Sequence, residues 1–212
     1  MGMPMDELKE KGEVLIEHLI SEGILKSSRI IRAFRETPRH LFVREKDVRF
    51  AYSDYPLPIG YGQTISAPSI VALMTELLEP KKSDRVLEIG SGSGWQAAIL
   101  SRLVRRVYTV ERDPYLAEFA RRNLEKIRAG NVEVIKGDGW LGYPKEAPYD
   151  KIIAACAVPR ISRDWIEQLK NGGIITAPVG GSWFQELSVG RKARGKLKTK
   201  NYGGCMFVPL RH

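Results

Sequence analysis

From Ser69 to Gly180 the chain alternates short apolar runs with segments of helical length, and this alternation restricts the fold more than any other feature. SIVALMTELLE (69–79) has helical spacing, with Pro68 placed to start it. DRVLEIG, RVYTVE, VEVIKGD, YDKIIAACA and GGIITAPVG are apolar runs of strand length. Between them SGWQAAILSRLV, PYLAEFARRNLEKI and the shorter SRDWIEQLK read as helices. Strands that alternate with helices run parallel, and a parallel sheet needs helices on both faces. The expectation is an α/β fold with a Rossmann-like, doubly wound, mostly parallel sheet.

The two ends depart from this rhythm. Residues 5–21 read as an amphipathic helix, with Leu8, Val14, Leu15, Leu19 and Ile20 near helical spacing. Ser27 and Ser28 can cap a second helix over 28–36, before Pro38. The stretch from Arg39 to Ser66 is rich in Pro, Gly and Tyr and reads as a surface loop with short pieces of structure. After Gly181, WFQELSVGRK and CMFVPL read as an antiparallel edge hairpin, with the basic run RGKLKTK (194–200) as a solvated hairpin or loop. The length of 212 residues suits one domain: a cover over 1–67 and a core over 68–212.

Composition narrows the class. No apolar run approaches the roughly 20 residues needed to cross a bilayer, and the charged N-terminus has no signal-peptide apolar segment, so a cytoplasmic protein without a membrane partner is expected. Two cysteines, Cys156 and Cys205, make no disulfide framework, and no Cys/His cluster has metal-ligand spacing, so no metal is expected. The net charge of +9 is compatible with nucleic acid, but the basic residues are scattered, and no stable nucleic-acid partner is expected. Depleted Asn and Gln beside abundant Lys, Arg and Glu form a thermophile-like composition.

VLEIGSGSGW (86–95) is the strongest local signal. A strand ends at Ile89, and Gly90, Gly92 and Gly94 precede a helix at the edge where open α/β sheets bind ligands. The spacing is G-x-G-x-G, with Glu88 inside the strand end. An acid there would repel a diphosphate but suits a cationic ligand with an ammonium or a sulfonium. The next strand ends in Glu111, about 20 residues on, where a carboxylate can accept from both ribose hydroxyls. The third ends in Asp138 and Gly139, where an acid can accept from an adenine amino group. Three successive strand tips thus outline a nucleoside pocket.

These motifs resemble class I S-adenosylmethionine-dependent methyltransferases. PIGYGQTISAPS, VLEIGSGSGWQAAIL, GDGWLGYPKEAPYDKIIAACA, QLKNGGIITAPVG and FVPL stand in the order and spacing of the protein-L-isoaspartate (D-aspartate) O-methyltransferase family, over about Arg29 to Leu210. The glycine motif is shared with many methyltransferases; the Q-T-I-S and G-D-G-W segments are more specific. The resemblance implies S-adenosyl-L-methionine as cofactor, S-adenosyl-L-homocysteine as product, and damaged proteins and peptides containing isoaspartate as substrates. It implies a methyl ester that proceeds to a succinimide. Carried over by motif, Glu88, Gly90, Ser91 and Gly92 lie near the methionine end. Glu111 with Arg112 holds the ribose, and Asp138 and Gly139 the adenine. The loop Gln63, Thr64, Ile65 and Ser66 covers the cofactor and lines the substrate cleft, with Ser66 at the active-site position. Arg211 stands where some members have a small polar residue, and Val71 where some have histidine, so neither receives a role. A monomer is expected.

The chemistry agrees with the residues present. A carboxylate nucleophile, with pKa about 4, is ionised at neutral pH and requires no general base. His18, His40 and His212 are accordingly expected to be structural or exposed. Ser66 can act as a positioning donor, as an N-cap of the following helix, or as both; Ser69 competes for the cap. A serine hydrolase is disfavoured because no G-x-S-x-G elbow occurs. An RNA or small-molecule methyltransferase is the rival function, but strand four reads IIAACAVP, without an N-P-P-Y-type segment. A catalytically dead binding module is disfavoured by the intact acids at the strand tips.

Overall fold

The computed structural model describes residues 3–181 and 183–211, so the expectation for His212 falls outside the described residues. The chain begins with helices α1 (Met5–Ser21) and α2 (Ser28–Arg35). α1 buries Leu8, Leu15, Ile16 and Leu19, while Val14, expected on this face, is 65% exposed. Neither serine caps α2 with its side chain. The amides of Lys26 and Ser27 instead donate to Glu76 Oε1, both at 2.8 Å. One carboxylate from a later helix therefore terminates the α1–α2 connection.

Residues 39–66 are more ordered than their composition indicates. Two 3₁₀ turns, Arg39–Phe42 and Glu45–Phe50, lead into a hairpin of β1 (Leu57–Gly60) and β2 (Gln63–Ile65). Then come α3 (Pro68–Leu78), β3 (Arg85–Ile89), α4 (Trp95–Ser101), β4 (Arg106–Glu111), α5 (Pro114–Lys126) and β5 (Val132–Lys136). The remainder comprises β6 (Tyr149–Ala154), α6 (Arg163–Gln168), β7 (Leu169–Gly180), β8 (Gln185–Ala193) and β9 (Lys196–Cys205).

Seven strands form one sheet in the order β5-β4-β3-β6-β7-β8-β9. The first five are mutually parallel, and β8 and β9 close the edge antiparallel. The edge differs from the expected hairpin in one respect. The second strand is the basic run itself, Lys196–Cys205, and not CMFVPL. Leu197, on the inward face, packs over Gly190, whose missing side chain makes room for it. The terminal FVPL leaves the edge and folds back across the sheet, where Ala157 N–H donates to Val208 O and Leu210 N–H donates to Ala157 O.

Alternation of side chains splits the core across the two faces. Val86, Val107 and Ile153 face α1–α4 and the 3₁₀ region, so the N-terminal helices share that core. Leu87, Ile89, Tyr108, Val110 and Ile152 face the layer that includes Trp165 of α6. No helix among the described residues is long and apolar enough to cross a membrane.

Glu76→Ala leaves two backbone donors without their acceptor, and a cost of about 1–3 kcal/mol is expected. Urea unfolding measures it, and amide exchange at Lys26 and Ser27 should quicken more than within α2.

Candidate active site

β3 lies at the centre of the sheet, between β4 and β6, and successive connections run to opposite sides of it. A crevice opens at such a point beyond the carboxyl ends of the strands. Here Gly90 N–H still donates to Val110 O of β4, while Ala155 N–H, just past β6, donates to Ile89 O. Gly90 turns away with φ of +87°, a conformation that a side chain would strain. A cavity of about 420 Å³ occupies the crevice, within the range of small-molecule sites. A recess of about 40 Å³ adjoins it under the β2–α3 connection.

Glu111 lies at the mouth of the crevice with its carboxylate already held. Oε2 accepts from Gly92 N–H and Oε1 from Asp113 N–H, both at 3.0 Å. The glycine turn and the β4–α5 turn thus meet on one side chain. Each oxygen has a further lone pair to offer a pair of hydroxyls. Asp113 in turn caps α5, accepting from the amides of Tyr115 and Leu116. Arg112 is exposed and lines the rim.

Glu88 is fully buried on the recess, and neither of its oxygens has a hydrogen-bond partner among the described residues. Burial pushes its carboxyl up to about 8, the charge of Glu111 adds to this, and the nearby Thr109 hydroxyl offsets part of it. That hydroxyl is itself engaged with Ser91 Oγ at 2.7 Å. The Ser91 side chain therefore ties the glycine turn to β4, although Ser91 also borders the recess. A buried, unpartnered carboxyl beside a small void suits a cationic group better than any neutral neighbour the protein supplies.

The third strand tip divides the expected pair. Gly139 borders the cavity. Its lack of a side chain is demanded by packing, since a Cβ there would fall 2.6 Å from Ile89 Cγ2. Asp138 does not border the cavity; its Oδ1 accepts from Trp140 N–H at 2.9 Å and caps the short turn that carries Gly139.

The loop Gln63–Ser66 is brought over the glycine turn. Gln63 and Thr64 border the cavity, while Thr64, Ile65 and Ser66 border the recess. Ser66 does not cap α3. The N-cap is Ala67, and the Ser69 amide donates to Asp54 Oδ1 at 2.8 Å. The Ser66 hydroxyl makes no hydrogen bond among the described residues. Val71 is buried in the wall of the same recess. Of the histidines, His18 is exposed. His40 is buried beside Tyr52, with Nδ1 2.7 Å from the phenol oxygen and its pKa lowered by burial. Neither borders the cavity.

Three contributors carried no signal in the sequence. Tyr61 stacks parallel on Tyr115 at 5.1 Å, linking the β1–β2 turn to the start of α5 across the rim. Arg211 Nη1 donates to Tyr61 O at 3.2 Å and closes the third side. Cys156 lines the floor, its thiol pushed well up by burial. Val208, Pro209 and Leu210 complete the wall because FVPL returns to Ala157.

The model of the protein-L-isoaspartate (D-aspartate) O-methyltransferase family matches residues 10–212. The chain belongs to this family. A protein-L-isoaspartate O-methyltransferase of Pyrococcus horikoshii is 47% identical over 211 residues, covering 98% of this chain and 96% of the relative. One of Methanopyrus kandleri is 49% identical over 203 residues, covering 93% and 90%. A solved protein-L-isoaspartate O-methyltransferase has a TM-score of 0.87 at 32% identity, covering 94% of this chain and 66% of that one. A structure from Plasmodium falciparum, solved with S-adenosyl-L-homocysteine, shares the fold with a TM-score of 0.84 at 22% identity, covering 94% and 98%.

The raised pKa of Glu88 has a sign that can be tested. Above an unfolded-state value near 4.5 the unfolded chain has lost this proton while the folded chain keeps it until about 8. The contribution of Glu88 to stability is therefore present in full at low pH and lost as pH rises through about 8. Glu88→Gln should flatten that part of the pH–stability curve and raise the melting temperature at pH 8 by roughly 5 °C. Scanning calorimetry of both proteins from pH 5 to 8.5 provides the comparison.

Proposed function

We propose that the crevice holds S-adenosylmethionine and that the Thr64–Ser66 segment presents the free carboxylate of an isoaspartyl residue to it, with residues 1–67 covering the 68–212 core. Membership of the family carries the activity; the paired hydrogen bonds that fix Glu111 carry the assignment of the site. Glu111 would receive the ribose hydroxyls, with Arg112 at the rim. Glu88 would face the methionine end, beside Gly90, Ser91 and Gly92. Asp138 would set the adenine end by shaping the turn on which Gly139 stands. Gln63 and Thr64 would close over the cofactor.

When bound, S-adenosylmethionine supplies a methyl group on a sulfonium, which the carboxylate oxygen takes up as a neutral thioether departs. The side chains of the protein have no proton to remove, because the substrate carboxyl is already ionised at neutral pH. Their task is proximity and alignment, which can account for many orders of magnitude in rate. Ser66 offers a hydroxyl with no competing partner among the described residues. A neutral donor positions an anion without sequestering its charge, as a direct arginine contact would. The stacked Tyr61 and Tyr115, with Arg211, would narrow the mouth and limit water. The product ester then proceeds to a succinimide by its own chemistry.

The test is a methyl-transfer assay on two peptides that differ only in aspartate or isoaspartate at one position. Only the isoaspartyl peptide should be labelled; equal labelling of both, or of neither, would refute the reading. Ser66→Ala should lower kcat/KM for that peptide on the order of tenfold while cofactor affinity stays within about twofold. Glu111→Ala and Asp138→Ala should instead weaken cofactor binding on the order of tenfold or more by calorimetry.

A further inference from the structure

Arg39 is 1% exposed; Nη1 and Nη2 meet backbone oxygens, and Nε has no hydrogen-bond partner among the described residues. Nη1 donates to Ala51 O at 2.7 Å and, at longer range, to Ser53 O at 3.4 Å. Nη2 donates to Ser66 O at 2.9 Å and to Tyr55 O at 3.1 Å, with Ile65 O at 3.5 Å. The group lies over the Trp95 ring, 5.3 Å from its centroid, and Trp95 is itself held by Nε1 donating to Thr37 O. No carboxylate forms an ion pair with it among the described residues. Asp54, the acid that acts on it from a distance, accepts from the Ser69 amide instead. Burial lowers the Arg39 pKa only to about 10, so the group stays cationic at neutral pH. A buried cation without a counter-ion is costly, and its hydrogen bonds to backbone carbonyls offset that cost while joining the 51–55 turn to the end of β2.

Its two hydrogen-bond partners in the site loop are the carbonyls of Ile65 and Ser66. In a trans peptide the C=O and the following N–H point in opposite directions. Drawing these two carbonyls to the guanidinium therefore turns the amides of Ser66 and Ala67 away from it. Neither amide has an acceptor among the described residues. The adjacent recess is lined by no lysine or arginine. Two N–H donors without an acceptor among the described residues, one of them on Ser66 at the recess and both with a cation behind their peptide units, are groups that an anion can accept from.

We propose that Arg39 is a positioning residue for the substrate carboxylate: it orients the Ser66 and Ala67 amides as donors and supplies, through those peptide units, the positive charge that the recess lacks. This rests on the assignment of Ser66 to the substrate cleft. The charge acts at one peptide's remove. It attracts the carboxylate without forming the direct ion pair that would blunt its oxygen as a nucleophile.

The experiment compares the isoaspartyl peptide with an analogue whose free carboxylate is a carboxamide, the latter as an inhibitor. The ratio of their affinities isolates the negative charge. In Arg39→Met the KM for the carboxylate peptide should rise on the order of tenfold, while the Ki of the carboxamide changes by less than about twofold. Arg39→Lys keeps the charge but loses the fork, so its melting temperature should fall while its ratio stays near that of the wild type. If Arg39→Met does not fold, the lysine variant alone decides: a collapsed ratio overturns the inference. Equal weakening of both ligands in Arg39→Met, or no change in either, also overturns it and marks Arg39 as a structural residue only. Wild-type turnover of the isoaspartyl peptide separates this result from failure of the activity itself, which would overturn both.

Discussion

The site depends on how β3 ends. Up to Ile89 this strand is paired on both sides, to β4 and to β6. Beyond it Gly90 keeps its bond to Val110 O, while Ile89 O is bonded by Ala155 from the other side. The connections on the two sides then diverge, and the space between them is the cavity. Because the turn after β3 and the turn after β4 leave the sheet side by side, Glu111 can accept from both Gly92 and Asp113. A carboxylate at the mouth of the crevice is thereby fixed by backbone amides, so the proposed ribose site would need little reorganisation on binding.

Covering this crevice is a separate physical problem, solved by the first third of the chain. Short hairpins are marginal on their own. The β1–β2 hairpin persists because Arg39 gathers carbonyls from the 51–55 turn and from the end of β2. α1 and α2 hold that region against α3 and α4 through a shared core, and Glu76 of α3 fastens their connection. At the rim the Tyr61–Tyr115 stack joins cover to core, and Arg211 ties the returning C-terminal segment to the same turn. A substrate that brings its own ionised nucleophile calls for this kind of enclosure more than for an acid or a base.

The regular part of the fold was readable because parallel strands buried on both faces are near-continuous apolar runs, as Val86, Leu87 and Ile89 are in β3 and Ile152, Ile153 and Ala154 in β6. The strand-tip acids were readable for a related reason: a lone carboxylate directly after such a run has few purposes. Reading failed where contacts replaced pattern. The basic run 194–200 read as a solvated hairpin or loop and not as the strand that closes the sheet, because an edge strand exposes one side and carries charges there. Ser27 and Ser28 looked like caps of α2, and Ser66 or Ser69 of α3, yet Glu76 accepts from the Lys26 and Ser27 amides and Asp54 from the Ser69 amide, each from elsewhere in the chain. Asp138, expected to accept from an adenine amino group, also caps the short turn that carries Gly139, a contact that calls for the same residue type at the same place.

Periodicity and local backbone requirements were enough to place the parallel sheet, the glycine turn, and Glu88, Glu111 and Gly139 at the strand tips. The family followed as well, from motifs spaced along the chain. Folding in three dimensions was needed to bring Arg39 behind Ser66, to return FVPL to the wall of the cavity, and to set Tyr61 on Tyr115. Those contacts join segments far apart in the chain, and no local preference of either partner encodes them.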